Sequence, residues 1–131
     1  MYLFNDWAVI IPMANEEDGF GSFTSLLAKM MDILESGKVY LILDNVSKDK
    51  TLDMAKELAT KDQRFDVVWA PENRSVVDAY IKGFEVAYTN GHELIIEMDA
   101  GMSHDPRALP MFLRVLNEGN ECAFGSRFIN G

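Results

Sequence analysis

The chain has 131 residues, of which 48% are apolar and 25% are charged, and its formal net charge is −9. These values fit one globular domain over residues 1–131 and exclude an intrinsically disordered chain. The acidic excess also argues against a nucleic-acid partner, because it would repel the phosphate backbone.

Two further features concern the compartment. No apolar run is as long as a membrane span, and the N-terminus lacks the pattern of a signal peptide. Cys122 is the single cysteine, which fits a reducing compartment, and we expect its side chain to be buried. The sequence therefore favours a cytoplasmic protein, and it leaves oligomerisation open.

Short apolar runs predict the strands of a sheet that is covered on both faces. They comprise residues 7–11, 39–43, 65–70, 94–98 and 122–124. Pro12 and Pro71 are expected to end the first and third strands, because proline cannot donate to a ladder.

Amphipathic stretches at helical spacing lie between these runs, over residues 23–34, 52–59, 76–88 and 109–116. Gly37 and Gly91 are expected to close the first and third helices. Asp49 and Asp105 are expected to cap the second and fourth. In the third helix, Val76, Tyr80, Phe84, Ala87 and Tyr88 are expected to form the buried stripe.

This alternation predicts an α/β fold of the Rossmann-like, doubly wound type, with a mainly parallel sheet in a three-layer α/β/α arrangement. In the common strand order 3-2-1-4, the order reverses between the first and fourth strands. Ligands bind such sheets beyond the carboxyl ends of the strands at that reversal.

Asp44 and Asp99 directly follow the second and fourth predicted strands. We expect their carboxyl groups to share one crevice, where they could accept hydrogen bonds from a nucleoside or hold a divalent cation. The alternative is that each is only a turn or capping residue. Asn15 and Glu16, after the first strand, could likewise cap the first helix.

Five segments, in order, carry a resemblance to a known family. They are IIPMANEE, LILDNVSKDKT, NRSVVDAYIKG, MDAGMSHDP and FGSRF. They resemble the P-x-x-N-E, V-D-D-G-S-x-D-x-T, N-x-G-x-x-x-A-x-x-x-G, D-A-D-x-S/Q-H-x-P and G-S-R motifs of glycosyltransferase family 2. The resemblance covers nearly the whole chain and is greatest to the polyprenyl- or dolichyl-phosphate sugar transferases.

The resemblance implies a GT-A fold and an inverting transfer of sugar from a nucleotide-diphosphate sugar to an acceptor such as polyprenyl phosphate. It implies that Pro12, Asn15 and Glu16 line the nucleoside pocket and that Asp44 contacts the base. Asp99 would meet the ribose or a divalent metal, Mg or Mn, and Arg127 would approach the diphosphate. A membrane-linked lipid acceptor would place the protein at the inner face of a membrane.

The chain also departs from the family pattern. Asn45 and Val46 stand where the second motif has Asp and Gly, and Ser75 and Val77 replace the usual glycines of the third. Gly101 replaces the second aspartate of the D-x-D element, which puts metal binding in doubt. The family's acceptor site and general base usually follow the G-S-R motif, so we expect residues 1–131 to be a donor-binding part with weak or no activity alone.

Three other functions can be weighed on the residues. A dinucleotide-dependent oxidoreductase would need a G-x-G-x-x-G turn after the first strand, where this chain has Met13-Ala14-Asn15-Glu16. A phosphoacceptor signalling module would need an aspartate at the end of the third strand, which Trp69-Ala70-Pro71 does not supply. A non-catalytic nucleotide-binding or interaction domain of the transferase fold stays open because of Gly101.

Overall fold

A computed structural model describes residues 6–126, in which strands and helices alternate along the chain. The strands are β1 (Trp7–Met13), β2 (Lys38–Leu43), β3 (Phe65–Trp69) and β4 (Leu94–Glu97). The helices are α1 (Phe20–Leu34), α2 (Thr51–Lys61), α3 (Val76–Thr89) and α4 (Leu109–Asn117), the last preceded by a 3-10 turn, Pro106–Ala108.

The sheet has the order β3-β2-β1-β4, and all three pairings are parallel. The predicted α/β class and strand order are therefore confirmed. Val9, at the centre of β1, pairs with Val39 on one side and with Ile96 on the other. This central position explains why β1 is an almost unbroken apolar run.

Two separate apolar cores cover the two faces of the sheet. Alternate residues of β1 point to opposite faces, so Val9 and Ile11 pack with α1, α2 and α4, whereas Ala8 and Ile10 pack with α3. The domain thus has the expected three layers. Asp105, expected to cap the fourth helix, caps the 3-10 turn that precedes it, since its side chain accepts a hydrogen bond from the Arg107 N–H. The N-cap of α4 itself is Ala108.

Pro12 does not end β1, contrary to the prediction. The strand runs through it to Met13, and Pro12 pairs with Ile42 of β2. The Ile10 carbonyl points towards β4, where it accepts a hydrogen bond from the Met98 N–H. Residues 10 and 12 lie two apart in the strand, so their backbone N–H and C=O groups point to the same neighbouring strand. The N–H that proline lacks would therefore point towards β4, whose pairing with β1 has already ended at Glu97.

The buried face of α3 differs in part from the prediction. Ala87 is buried as expected, together with Ala79 and Gly83, whereas Val76 and Tyr88 are 57% and 80% exposed. Small side chains let the helix axis approach the sheet closely. A Cβ at Gly83 would lie only 2.9 Å from the Ile10 Cβ. Among the large residues of the predicted stripe, Tyr80 packs against the core on this face of the sheet.

Residues 122–124 do not form the predicted fifth strand. The segment runs past α4 instead, where a Cβ at Gly125 would lie 2.9 Å from the Phe112 ring. Three apolar residues offer few ladder hydrogen bonds to hold a strand at the sheet edge. Cys122 is exposed rather than buried.

Within residues 6–126, no helix combines the length and the apolar character that a membrane crossing requires.

The packing of α3 gives a test. Gly83→Ala should destabilise the protein by up to about 2 kcal/mol, because overpacking costs roughly 1–3 kcal/mol and the helix propensity of alanine returns about 1. The measurement is the free energy of unfolding in urea. Gly21→Ala in α1 is the matched control, since nothing lies within 4 Å of its added Cβ, and it should be neutral or stabilising by up to about 1 kcal/mol. A Gly83→Ala protein more stable than wild type would contradict this packing.

Candidate functional site

A cavity of about 460 Å³ opens at the carboxyl ends of β1, β2 and β4. This is the reversal point of the strand order, where ligands of doubly wound sheets bind. Its volume is in the range of small-molecule sites. It is lined by Pro12, Met13, Ala14, Glu16, Ile42, Asp44, Val46, Arg74, Ser75, Val76, Ala79, Asp99, Ala100 and Ser103.

Asp44 reaches the cavity from the end of β2. Its Oδ1 accepts a hydrogen bond of 2.8 Å from the Val46 N–H, so the carboxylate closes its own turn. Val46 is not among the residues with positive φ, and this turn therefore needs no glycine. The second carboxylate oxygen of Asp44 makes no hydrogen bond within the described chain, so it can serve a ligand.

Asp99 reaches the same cavity from the end of β4 and is held from two sides. The Tyr80 hydroxyl of α3 donates a short hydrogen bond to its Oδ1. His104 Nδ1 accepts from the Asp99 N–H at 2.9 Å, and His104 Nε2 lies 3.8 Å from Oδ2. Burial and the Asp99 carboxylate both raise the pKa of Tyr80 above its ordinary value, so it stays a hydrogen-bond donor.

The loop after β1 is tied to the loop after β2 by backbone N–H groups. Three consecutive ones donate to side-chain oxygens: Asn15 to Ser47 Oγ at 3.1 Å, Glu16 to Thr51 Oγ1 at 2.8 Å and Glu17 to Asp49 Oδ2 at 3.0 Å. We call these bonds the loop clasp. They leave none of these three N–H groups free to bind a ligand, but they fix the position of the loop in the cavity wall.

Asp49 is the centre of the loop clasp. Besides Glu17, it accepts from the backbone N–H and the hydroxyl of Thr51 and from the Ser47 hydroxyl. These bonds, led by the Thr51 hydroxyl, lower the pKa of Asp49. Asp49 was expected to cap α2, but the N-cap residue of this helix is Lys50. Asp49 lies one position earlier and accepts a hydrogen bond from the N–H of Thr51, the first residue of the helix.

Asn15 belongs to the loop clasp rather than to the cavity. Its Oδ1 accepts from the Lys48 N–H at 2.8 Å, and its backbone is left-handed, with φ 56°. It is exposed and is absent from the cavity wall. Neither Asn15 nor Glu16 caps the first helix, the alternative role considered for them, because α1 begins at Phe20 and its N-cap residue is Gly19.

Glu16 does line the cavity, and its carboxylate lies beside Gly101. A Cβ built on Gly101 would be 3.5 Å from Glu16 Oε2. Gly101 has φ +86°, which L residues rarely adopt. Burial raises the pKa of Glu16, and the negative charges of Asp49 and Asp99 raise it further.

The charges of the cavity wall are unbalanced. Three of its described residues are acidic, namely Glu16, Asp44 and Asp99, and only Arg74 is basic. The wall also includes the N-terminal end of α3, at Ser75 and Val76, which carries a partial positive charge. A diphosphate would therefore need additional positive charge to bind beside the carboxylates.

Some residues of the site were not anticipated from the sequence. Tyr80 was assigned to a core stripe, and only the position of α3 above β4 shows its contact with Asp99. Arg74 had no signal beyond its place in a loop. Ser47, Asp49 and Thr51 stood in the S-x-D-x-T part of a recognised motif, but their bonds to the first loop were not inferred. Arg127 lies outside the described residues.

Comparison with known proteins identifies the family. Residues 8–131 match the family model described as glycosyl transferase family 2. The chain belongs to this family. The resemblance seen in the five sequence segments is thereby confirmed, and the parallel α/β sheet agrees with it.

Curated relatives in the glycosyltransferase family 2 are similar over most of the chain. A dolichol-phosphate mannosyltransferase of Pyrococcus furiosus is 28% identical over 95% of this chain and 34% of its own length. An undecaprenyl-phosphate mannosyltransferase of Micrococcus luteus is 32% identical over 93% of this chain and 48% of its own. A polyprenol monophosphomannose synthase of Mycolicibacterium smegmatis is 35% identical over 70% of this chain and 35% of its own. The chain thus spans between a third and a half of these relatives.

The loop clasp predicts a pH-dependent contribution to stability. Because the folded-state pKa of Asp49 is lowered, its contribution is present above about pH 4, the ordinary range of an aspartate, and is lost as the pH falls through the lower folded value. Asp49→Asn should therefore lower the urea midpoint at pH 7, and its difference from wild type should shrink between pH 5 and pH 3.

Asp18→Asn is the matched control for this test. Asp18 is exposed in the first loop, and its side chain makes no hydrogen bond or ion pair within residues 6–126. This variant should keep the wild-type midpoint at pH 7. Equal midpoints for Asp49→Asn and Asp18→Asn at pH 7 would show that the loop clasp contributes nothing to stability.

Proposed function

We propose that this chain is the donor-binding part of a glycosyltransferase that moves a sugar from a nucleotide-diphosphate sugar to polyprenyl phosphate. The observation that carries the proposal is the convergence of Asp44 and Asp99 on one cavity at the reversal of the sheet. The names of the relatives support a mannosyl donor and a lipid phosphate acceptor.

In this proposal, the nucleoside lies across the end of β1, between the two aspartates. Within residues 6–126, one carboxylate oxygen of Asp44 makes no hydrogen bond and can accept an N–H of the base. Pro12 supplies an apolar wall at the centre of the cavity. Asp99, oriented by Tyr80, faces the ribose or the diphosphate. Arg127 would add a guanidinium for the diphosphate, as the family motif implies.

A divalent cation, Mg or Mn, is part of the proposal, and the donor set of the cavity suits one. Asp99 and Glu16 offer carboxylate oxygens, and Ser103 adds a hydroxyl. No group of three or more His, Cys, Asp or Glu that could hold a metal occurs in the described part of the chain. Mg, however, is usually held by one or two carboxylates together with substrate phosphates. When bound, such a cation offsets the negative charge that grows on the leaving diphosphate.

The reaction we propose is an in-line displacement at the anomeric carbon of the sugar. The bond from that carbon to the donor's phosphate oxygen breaks, and its electron pair leaves with the nucleoside diphosphate. An oxygen of the acceptor phosphate forms the new bond from the opposite face, so the configuration inverts. A phosphate monoester has its second pKa near about 6, so this oxygen carries no proton at neutral pH and requires no general base.

The proposed acceptor also places the reaction. A polyprenyl phosphate is anchored in a membrane by its hydrocarbon chain, and only its phosphate reaches the aqueous side. We therefore propose that this domain works in the cytoplasm at the inner face of a membrane, with its cavity towards the lipid headgroups.

The second candidate is a nucleotide-binding domain of the same fold that does not catalyse transfer. Gly101 is the observation that favours it, because the second carboxylate of the D-x-D element is missing. Such a domain would bind a nucleotide without requiring a metal.

Calorimetry on the full chain tests the donor site. GDP, UDP and ADP would each be titrated into the protein, once in a buffer that contains MnCl₂ and once in a buffer that contains EDTA. We expect at least one to bind in a manner that depends on manganese. Asp44→Asn and Asp99→Asn should each weaken that binding by about tenfold or more, because each loses a charged acceptor.

Asp18→Asn, outside the cavity wall, should bind as wild type does. Binding that is equally strong in EDTA would favour the non-catalytic domain. If none of the three nucleotides binds below millimolar concentration under either condition, the proposed function is wrong.

A further inference from the structure

We propose that Glu16 supplies the carboxylate that residue 101 lacks, so that Glu16 and Asp99 together hold the divalent cation of the donor site. The inference rests on the proposed donor-binding function. It concerns the one departure from the family pattern that most directly threatens that function, the glycine in place of the second aspartate.

The Glu16 side chain lies beside residue 101. A side chain at residue 101 would begin 3.5 Å from Glu16 Oε2, which is ordinary van der Waals contact. The Glu16 carboxylate therefore already lies beside the place where a carboxylate at residue 101 would start. It comes from the loop after β1, whereas residue 101 follows β4.

The backbone conformation of Gly101 disfavours an aspartate at this position. Its φ is +86°, and the next residue, Met102, is also left-handed, with φ 72°. Aspartate tolerates this region better than most residues, but at a cost that glycine avoids. The backbone of this chain thus favours a carboxylate that arrives from another loop.

The backbone of Glu16 is held in place. Its backbone N–H donates to Thr51 Oγ1 at 2.8 Å, and the flanking residues Asn15 and Glu17 are bound by the loop clasp. The side chain therefore extends from an anchored backbone. A backbone that is already held in place needs no further ordering when a cation binds.

The charge around Glu16 also favours a cation. Asp99 lines the same cavity with a second carboxylate, so the two like charges repel each other. Within residues 6–126, no lysine, arginine or histidine forms an ion pair with Glu16. A divalent cation between Glu16 and Asp99 would turn this repulsion into attraction. Its remaining positions would be filled by water and by the donor's phosphates.

Asp99 is arranged to share such a cation. Its Oδ1 is bound by the Tyr80 hydroxyl, and this bond sets the rotation of the carboxylate. Its Oδ2 lies 3.8 Å from His104 Nε2, beyond hydrogen-bond distance. One oxygen is therefore oriented by the protein, and the other is available to a cation.

The experiment measures Mn²⁺ binding directly, without a transfer assay. Mn²⁺ is titrated into the full chain, and the free aqueous ion is followed by electron paramagnetic resonance. The titration is done with Mn²⁺ alone and with saturating GDP or UDP. The variants are Glu16→Gln, Asp99→Asn and the matched control Glu17→Gln, whose side chain is outside the cavity wall. Thermal unfolding of each variant checks the fold.

We expect Glu16→Gln to weaken Mn²⁺ binding in the presence of nucleotide by at least about tenfold, as Asp99→Asn does, because each removes a metal-ligating carboxylate. Glu17→Gln should stay within about twofold of wild type. Glutamine keeps the size of the side chain and the backbone bond to Thr51, so Glu16→Gln should unfold at nearly the wild-type temperature.

One outcome would overturn the inference alone: nucleotide binding depends on Mn²⁺, but Glu16→Gln binds Mn²⁺ as wild type does, so Asp99 needs no help from Glu16. If wild type binds nucleotide equally well in EDTA, the inference fails together with the metal-dependent form of the proposed function. Failure of every nucleotide to bind is a different result, because it removes the proposed donor site itself.

Discussion

Three backbone N–H groups in the loop after β1, each bound to a side-chain oxygen of the loop after β2, fix the geometry on which this site depends. A parallel sheet brings both loops to one edge, but it does not determine how far apart they stand or which side chains face the cavity. The loop clasp does so through Ser47, Asp49 and Thr51, whose side-chain oxygens accept hydrogen bonds from the first loop. Glu16 is on the cavity wall because its backbone is bound there.

The site gathers acidic groups against their mutual repulsion. Asp49 is stabilised as an anion by its hydrogen bonds, whereas burial and its acidic neighbours destabilise the charged form of Glu16. The two carboxylates are near each other but have opposite environments: one serves the scaffold, and the other faces the cavity. A rigid frame that holds uncompensated negative charge is suited to a cation that arrives with an anionic ligand. The excess of acidic residues and the proposed diphosphate donor are therefore compatible.

Packing on the far side of the sheet also affects the site. The small residues Ala79 and Gly83 bring α3 close to Ile10, and Tyr80, the next residue after Ala79, then meets Asp99 at the end of β4. A larger residue at the helix–sheet contact would move Tyr80 away from the carboxylate. The closeness of this packing therefore contributes to the orientation of Asp99 as well as to the core.

The sequence by itself determined the α/β class, the helix ends near Gly37 and Gly91, and the two aspartates at the strand ends, whereas the strand order was taken from the commonest arrangement of such sheets and is given by the structure. These features follow from local composition and periodicity, because apolar runs must be buried and chain polarity places the strand ends at one edge. Only the tertiary structure decided that Asn15 ties two loops together, that Tyr80 holds Asp99, that Glu16 lies beside Gly101 and that residues 122–124 do not join the sheet. Each of these depends on contacts between segments far apart in the chain. No local sequence pattern specifies the side-chain rotamers or the distance of a helix from the sheet on which these contacts depend.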